Sequence, residues 1–306
     1  MGEKIKFMDE IYIEIPKKIE NNIEGFQFFC SLFQKMKKTK NSIITLDFNK
    51  TRWLEANLSS ILGAIISAGT VNNKIKIIRI SNSVSRILSK NSFLKKVGIT
   101  DVIEDTYGTT IKYAEFRETD RIKFQGYLKS EFIPGIKINM SEKFKRKLRL
   151  NLEEVFQNAR IHGRCDNIHV CGQYFFQHER VMFTIVDLGR TIVQNYNEYF
   201  GENISAEKAI DWVTKDGNST KDSDETGGIG LFQLREFLKE NGGKIQIISS
   251  NGYWEECGDN IFMHIFDDTF DGTIVNIEVN VNDKFYLTEN EKNDSNELIF
   301  DIDNIF

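Results

Sequence analysis

Residues 150–163 read LNLEEVFQNARIHG, and this stretch decides the fold. Ser141 can cap a helix ahead of it, and Glu142 suits the first turn, where unpaired N–H groups favour an acceptor and a negative charge. The apolar spacing carries that helix to about Ile161, and Gly163 stops it. Leu150, Val155, Phe156 and Ala159 are expected to bury much of its length. Glu154 and Asn158 stand four apart and share one helix face. An amide oxygen is a competent magnesium ligand. A carboxylate on the same face can coordinate too, or can orient and deprotonate a water. Taken alone, the pair also fits two surface polar residues.

Three further elements follow downstream. The strand Val181–Val186 ends in Asp187-Leu188-Gly189. A carboxylate at a strand end can accept from an exocyclic amino group such as that of adenine, and a glycine beside it lets a base approach the backbone. Next, Lys215–Gly230 is a polar loop, and Thr226-Gly227-Gly228-Ile229-Gly230-Leu231 opens a helix over 231–241. Glycines let N–H groups converge, and a helix start adds positive potential, so the pattern suits a phosphate cradle. No Gly-Lys-Ser/Thr follows and no strand precedes it, so it is neither a P-loop nor a dinucleotide fingerprint. Last, Gly272-Thr273 enters the strand Thr273–Val279, where the Thr273 hydroxyl could sit near a base. Strands are also expected at Lys244–Ser249 and Ile261–Phe266, the latter joined to the last strand around Asp271-Gly272.

Helix, strand-end Asp, glycine-bearing loop and terminal Gly-Thr strand together resemble the GHKL superfamily of gyrase-type, mismatch-repair, chaperone and histidine-kinase ATP-binding domains. The stretch at 150–163 looks like its N-box. VDLGRT at 186–191 is similar to its adenine box, TGGIGLFQLREFLKENGGKIQI at 226–247 to its second glycine box, and GTIVNIEV at 272–279 to its final strand. The resemblance covers about half the chain. It implies ATP and magnesium as ligands. Asn158 would coordinate the metal, with Glu154 beside it. Asp187 would bind the adenine amino group, Gly189 would admit the base and Thr273 would join its network. Thr226, Gly227, Gly228, Ile229, Gly230 and Leu231 would lie along the phosphates, within a lid over 215–230. Glu154 sits where hydrolytic members carry the acid that activates water. Two departures stand out. Thr191 replaces a common glycine, and no phosphate-reaching lysine is identifiable, Lys215 and Lys221 being only nearby.

The first ~125 residues alternate strand and helix periods. Strands are expected at Ile11–Ile15, Ile43–Phe48 and Ile75–Ile80, and helices at Glu24–Lys37, Leu54–Ala68 and Val84–Val97. SIITLDFNKTRWLEANLSSILGAII at 42–66 looks like a STAS domain. Members with a switching role carry a phosphorylatable Ser after this strand. Here the run is Glu55-Ala56-Asn57-Leu58, with Ser59 and Ser60 close by. Residues 108–135 read as less regular. The expected architecture is α/β: a STAS-like α/β domain at 1–128, a GHKL sandwich of a mixed sheet under helices at 129–283, and an acidic tail at 284–306.

The composition is that of a globular protein, with 40% apolar residues, 28% charged and net charge −5 over 306 residues. No nucleic-acid footprint, membrane span or secretory start is indicated. Cys30, Cys165, Cys171 and Cys257 fit no zinc spacing and are expected to be buried, inert and reduced, as in a cytoplasmic protein. His162 reads as a structural helix-end residue, and no phosphoacceptor helix precedes the module. Three functions follow: a nucleotide-gated regulator with slow ATP hydrolysis acting on a protein partner or as a homodimer; a serine protein kinase of the anti-sigma type; or a non-enzymatic nucleotide-binding adaptor. The tail, ending LIFDIDNIF, would be a docking peptide or an intramolecular plug.

Overall fold

Alternating and helical periods along the chain become ten strands and ten helices in a computed structural model that describes residues 9–99, 102–136, 140–218 and 230–281. The first part holds β1 (Asp9–Glu14), β2 (Lys18–Ile19), α1 (Ile23–Lys38), β3 (Ser42–Asp47), β4 (Trp53–Leu54), α2 (Ser59–Thr70), β5 (Lys74–Ile78), α3 (Asn82–Lys90) and α4 (Phe93–Lys96). The second holds β6 (Thr110–Arg117), α5 (Arg121–Tyr127), α6 (Ile133–Gly135), α7 (Glu142–Ile161), β7 (Asn167–Phe175), β8 (Arg180–Asp187), α8 (Ile192–Phe200), α9 (Ala206–Val213), α10 (Gly230–Glu240), β9 (Lys244–Cys257) and β10 (Asn260–Asn280). Thr226, Gly227, Gly228, Ile229 and Lys221 lie outside the described residues, as does the tail at 284–306.

Strands β1, β3 and β5 form a parallel sheet with β3 in the middle. Strands β6-β7-β8-β10-β9 form a second sheet in that order. Every pairing described in the second sheet is antiparallel, which corrects the expectation of a mixed sheet. The tight turns at 176–179 and 258–259 reverse the chain and impose that sense between sequential neighbours. The edge strand β6 lies before the expected 128/129 division, inside a stretch read as irregular. It nevertheless buries Ile111 and Phe116 on one face and Tyr113 on the other, as a strand covered on both sides does. The second packing unit therefore starts near residue 110.

Helices α1 and α2 are sandwiched between the two sheets. One apolar cluster joins Ile44 and Leu46 of β3, Phe29 and Phe33 of α1, Ile61 and Ile65 of α2, and Val186, Ile274 and Phe270 of the second sheet. This explains why α2 is apolar all round: a helix covered on both sides has no polar face to offer. The other face of the second sheet carries α5, α7 and α10 over a separate cluster built on Phe124, Phe156, Phe183 and Phe237. The layers thus run parallel sheet, helices, antiparallel sheet, helices.

Three helix expectations shift. Residues 54–58 are not α-helical; a 3-10 turn over Ala56–Leu58 precedes α2. The expected helix over 84–97 breaks at Asn91-Ser92, where Ser92 takes a positive φ of 67°. Asn91 turns its amide inward to Ser59 Oγ at 2.8 Å and accepts from Phe93 N at 3.0 Å, ending one helix and starting the next. Leu150, expected to be buried, is exposed. The strands expected at 261–266 and 273–279 are one strand, β10, with register shifts at Ile265/Phe270 and Phe270/Thr273.

Candidate functional site

Helix α7 forms as its sequence suggests. Ser141 caps it, accepting from Phe144 N at 3.1 Å, and Phe144, Leu148, Leu152, Val155 and Phe156 bury one stripe. Its last turns, with β8, α8, α9 and the start of α10, line a cavity open to solvent on one side. Asn158 and Gly163 line it from α7 and its cap, Asp187 from the end of β8, Thr273 from β10, and Gly230 and Leu231 from α10. Residues far apart in sequence are thus brought to one place. Glu154 does not line the cavity. It is exposed at the rim, where a β-carbon on Gly230 would stand 3.1 Å from its Oε2 and 3.5 Å from Asn158 Nδ2. Helix α10 therefore starts against the face that holds Glu154 and Asn158.

Asp187 is the buried carboxyl of the site, 3% exposed. It pairs in register with Thr273 across the sheet, and its Oδ1 accepts from Gly189 N at 3.1 Å. Burial pushes its carboxyl up to about 8, against the backbone hydrogen bonds from Gly189 and Thr273 that pull it down. A carboxyl neutral at pH 7 offers one donor and one acceptor toward the cavity. Glycines let the backbone turns around it pack closely. A β-carbon on Gly189 would run into the Gly163 carbonyl, which already accepts from Arg190 N at 2.6 Å. Gly272 has φ 115°, and a side chain there would meet the Asp187 carbonyl.

Several residues that line the cavity or support its walls escape the sequence reading. Ser249 Oγ bonds the Gly272 carbonyl at 2.7 Å, lies 3.2 Å from Thr273 Oγ1 and accepts from Ile192 N at 2.9 Å. It ties both strand ends to α8. Thr191, read as a departure from a glycine box, is the N-cap of α8 in a reciprocal capping box with Gln194. That Thr-x-x-Gln spacing was the available signal for the helix. Tyr196 and Trp212 meet edge-to-face at 5.1 Å and give the cavity an aromatic wall. Arg190 is a cation on the lining and pairs with Glu198. Lys215 is held by Asp211 at 2.7 Å. Asn195 donates to the His162 carbonyl at 3.0 Å, pinning α8 to the end of α7.

Among the described residues no cluster of three His, Cys, Asp or Glu side chains forms a metal cage. No described helix is long and apolar enough to cross a membrane. No family model matches the chain, and no curated protein is similar to it.

Proposed function

We propose that this chain is a Mg-ATP-binding regulatory protein of the GHKL type, with slow ATP hydrolysis and a nucleotide-dependent effect on a protein partner. One observation carries the reading: a buried carboxyl, Asp187, lines a cavity, at a place where Gly163, Gly189 and Gly272 let three backbone turns close around it. A buried carboxyl without a charged partner is expensive in a fold that needs it only for packing. It is well matched to a planar base with an amino donor beside a ring acceptor, as on adenine.

The residues present fit the ligands that the resemblance implies. Asp187 and Thr273 would hold the base, and Gly189 would let it approach. Asn158, with Glu154 at the rim, would hold magnesium through side-chain oxygens. Magnesium usually takes only one or two protein ligands beside phosphate and water, so no protein cage is needed. Bound magnesium would supply charge neutralisation of the phosphates. Gly230 and Leu231 open α10, whose N-terminal dipole suits an anion. The exposed Glu154 carboxylate is free to accept a proton from a water or hydroxyl at the mouth.

The regulatory half of the proposal draws on the STAS-like resemblance of residues 42–66 and on the packing of that half against the sheet. Ser59 and Ser60 are buried, so a kinase could not reach them in the folded chain. Control by their phosphorylation is therefore not part of the proposal.

The test is ADP formation by purified protein with ATP and magnesium, run beside Glu154→Ala, with Mg-ATP binding measured for Asp187→Ala and Asn158→Ala. ADP production lost in Glu154→Ala, and binding lost in the other two, is the expected result. Undiminished binding by Asp187→Ala would overturn the assignment. A second reading, a serine protein kinase, is favoured by the same exposure of Glu154, which an incoming protein hydroxyl could reach as easily as water. It predicts a labelled protein when the chain is incubated with γ-labelled ATP and cell extract, without ADP release in their absence.

A further inference from the structure

A second cavity lies away from the site already described. It is lined by Gly63 and Ile66 of α2, Ile75 and Ile77 of β5, Tyr113 and Glu115 of β6, and the segment 96–99, whose Lys96 pairs with Glu115 at 2.9 Å. Strand β5 is the end strand of its sheet and pairs, among the described residues, only with β3. An unpaired edge beside an apolar groove is a template for one more extended strand. Along β5 the side chains alternate: Ile75 and Ile77 enter the groove, while Lys74 and Lys76 are exposed on the other face.

The chain itself carries the complement. Residues 298–303 read LIFDID, so Phe300 and Ile302 alternate with Asp301 and Asp303. A strand of that pattern laid along β5 places Phe300 and Ile302 in the groove and its two carboxylates on the face of Lys74 and of Lys76, the latter already paired with Glu10 of β1 at 3.2 Å. Other open edges suit it less. Strand β1 carries Asp9, Glu10 and Glu14. The exposed apolar run Ile261-Phe262-Met263-His264-Ile265 of β10 is flanked by Asp259, Asp267 and Asp268. Either would set carboxylates against carboxylates.

Reach is sufficient. The described chain ends at Val281, whose N–H donates to the Glu179 carbonyl at the end of the second sheet. The pairing register sets Tyr113 about five residues back along the strands and three strands across, or about 17 Å by about 14 Å. Residues 282–297 can span on the order of 50 Å when extended.

We propose that the segment Leu298–Phe306 docks as an added strand on the free edge of β5 and fills this groove with Phe300 and Ile302. The experiment is hydrogen exchange by mass spectrometry on the full chain, on the chain truncated after Glu297, and on full-length Asp301→Lys/Asp303→Lys. Both altered chains should exchange the amides of 74–78 at least tenfold faster than the parent, with the second sheet unchanged. A synthetic peptide of residues 297–306 should restore protection to the truncated chain. Equal exchange in parent and truncated chain, with no effect of peptide, would overturn the proposal. Protection that rises with protein concentration alongside a dimer mass by light scattering would assign the segment to the edge of a second copy, and would overturn docking within one chain.

Discussion

Gly163 and Asp187 sit so close that a β-carbon on residue 163 would stand 2.8 Å from Asp187 Oδ1 and run into the Ala159 carbonyl. The turn that ends α7 therefore has no room for a side chain while the carboxyl keeps its place. Gly163→Ala should displace one or the other. Overpacking of this kind costs about 1–3 kcal/mol, and on the proposed reading the displaced Asp187 should weaken Mg-ATP binding. Urea unfolding and Mg-ATP calorimetry on the variant check both. Wild-type affinity with wild-type stability would mean that the turn can shift freely.

The same carboxyl makes stability depend on pH. Asp187 is pushed up to about 8 by burial in the folded chain, while in the unfolded chain it ionises near ~4. Between those values the folded form holds a proton that the unfolded form has released. Its contribution to stability therefore falls as pH rises from about 4 to about 8, and is level above that. Asp187→Asn cannot ionise and escapes this loss. Its thermal midpoint, taken relative to the parent, should climb between about pH 5 and pH 8 and then stay flat. A difference constant over that range would show the carboxyl to be ionised throughout.

The site was legible where its signals are local. Glu154 and Asn158 on one helix and Asp187 at a strand end need only period and turn chemistry; the fold sets Asp187 opposite Thr273, which lies within β10 and not at the strand start expected of it. What the local signals missed depends on packing at a distance. Leu150 reads as core by its type, but it falls off the buried stripe of α7. Ser249 is an ordinary strand residue until β10 and α8 arrive beside it. The sandwiching of α1 and α2 between two sheets could not be read from alternation, which marks faces without naming what covers them. The division at 128/129 misplaced β6, because its apolar side chains show membership of a sheet only once β7 is known to lie alongside.

Cysteine reactivity should separate one thiol from three. Cys30, Cys165 and Cys171 are buried, and burial pushes each thiol up to about 12. Cys257 overturns the expectation of four buried cysteines. It is exposed at the end of β9, where Gly258 turns the chain into β10. A thiol reagent at about pH 8 should label one equivalent in the native chain, four after unfolding, and none natively in Cys257→Ser. Rapid labelling of two or more native thiols would contradict the packing around α1 or β7.

Asn57 should decide whether the chain unfolds in one step or two. It is fully buried ahead of α2, and its Nδ2 reaches Asn21 Oδ1 at 2.7 Å, Thr184 Oγ1 at 2.8 Å and Asn276 Oδ1 at 3.0 Å. Thr184 and Asn276 belong to the central strands of the second sheet. Asn276 continues the network to Gln246 at 2.7 Å, and Gln246 bonds Tyr253 Oη at 2.9 Å. Close by, Ala56 N donates to Gln173 Oε1 at 2.5 Å. Asn57, Thr184, Asn276 and Gln246 are buried, and each polar group left unpaired costs about 1–3 kcal/mol. Asn57→Ala should therefore destabilise the chain by about 3 kcal/mol or more, well beyond the loss from truncating an exposed residue such as Lys18. The apolar cluster spanning both halves should hold the parent to a single transition by circular dichroism and by tryptophan fluorescence, with Trp53 in the first half and Trp212 and Trp254 in the second. In Asn57→Ala the two probes should separate, because the polar network that fixes the halves in register is cut and only the shared apolar cluster is left between them. Coincident transitions in the variant, with a loss under about 1 kcal/mol, would leave the apolar cluster alone as the bond between them.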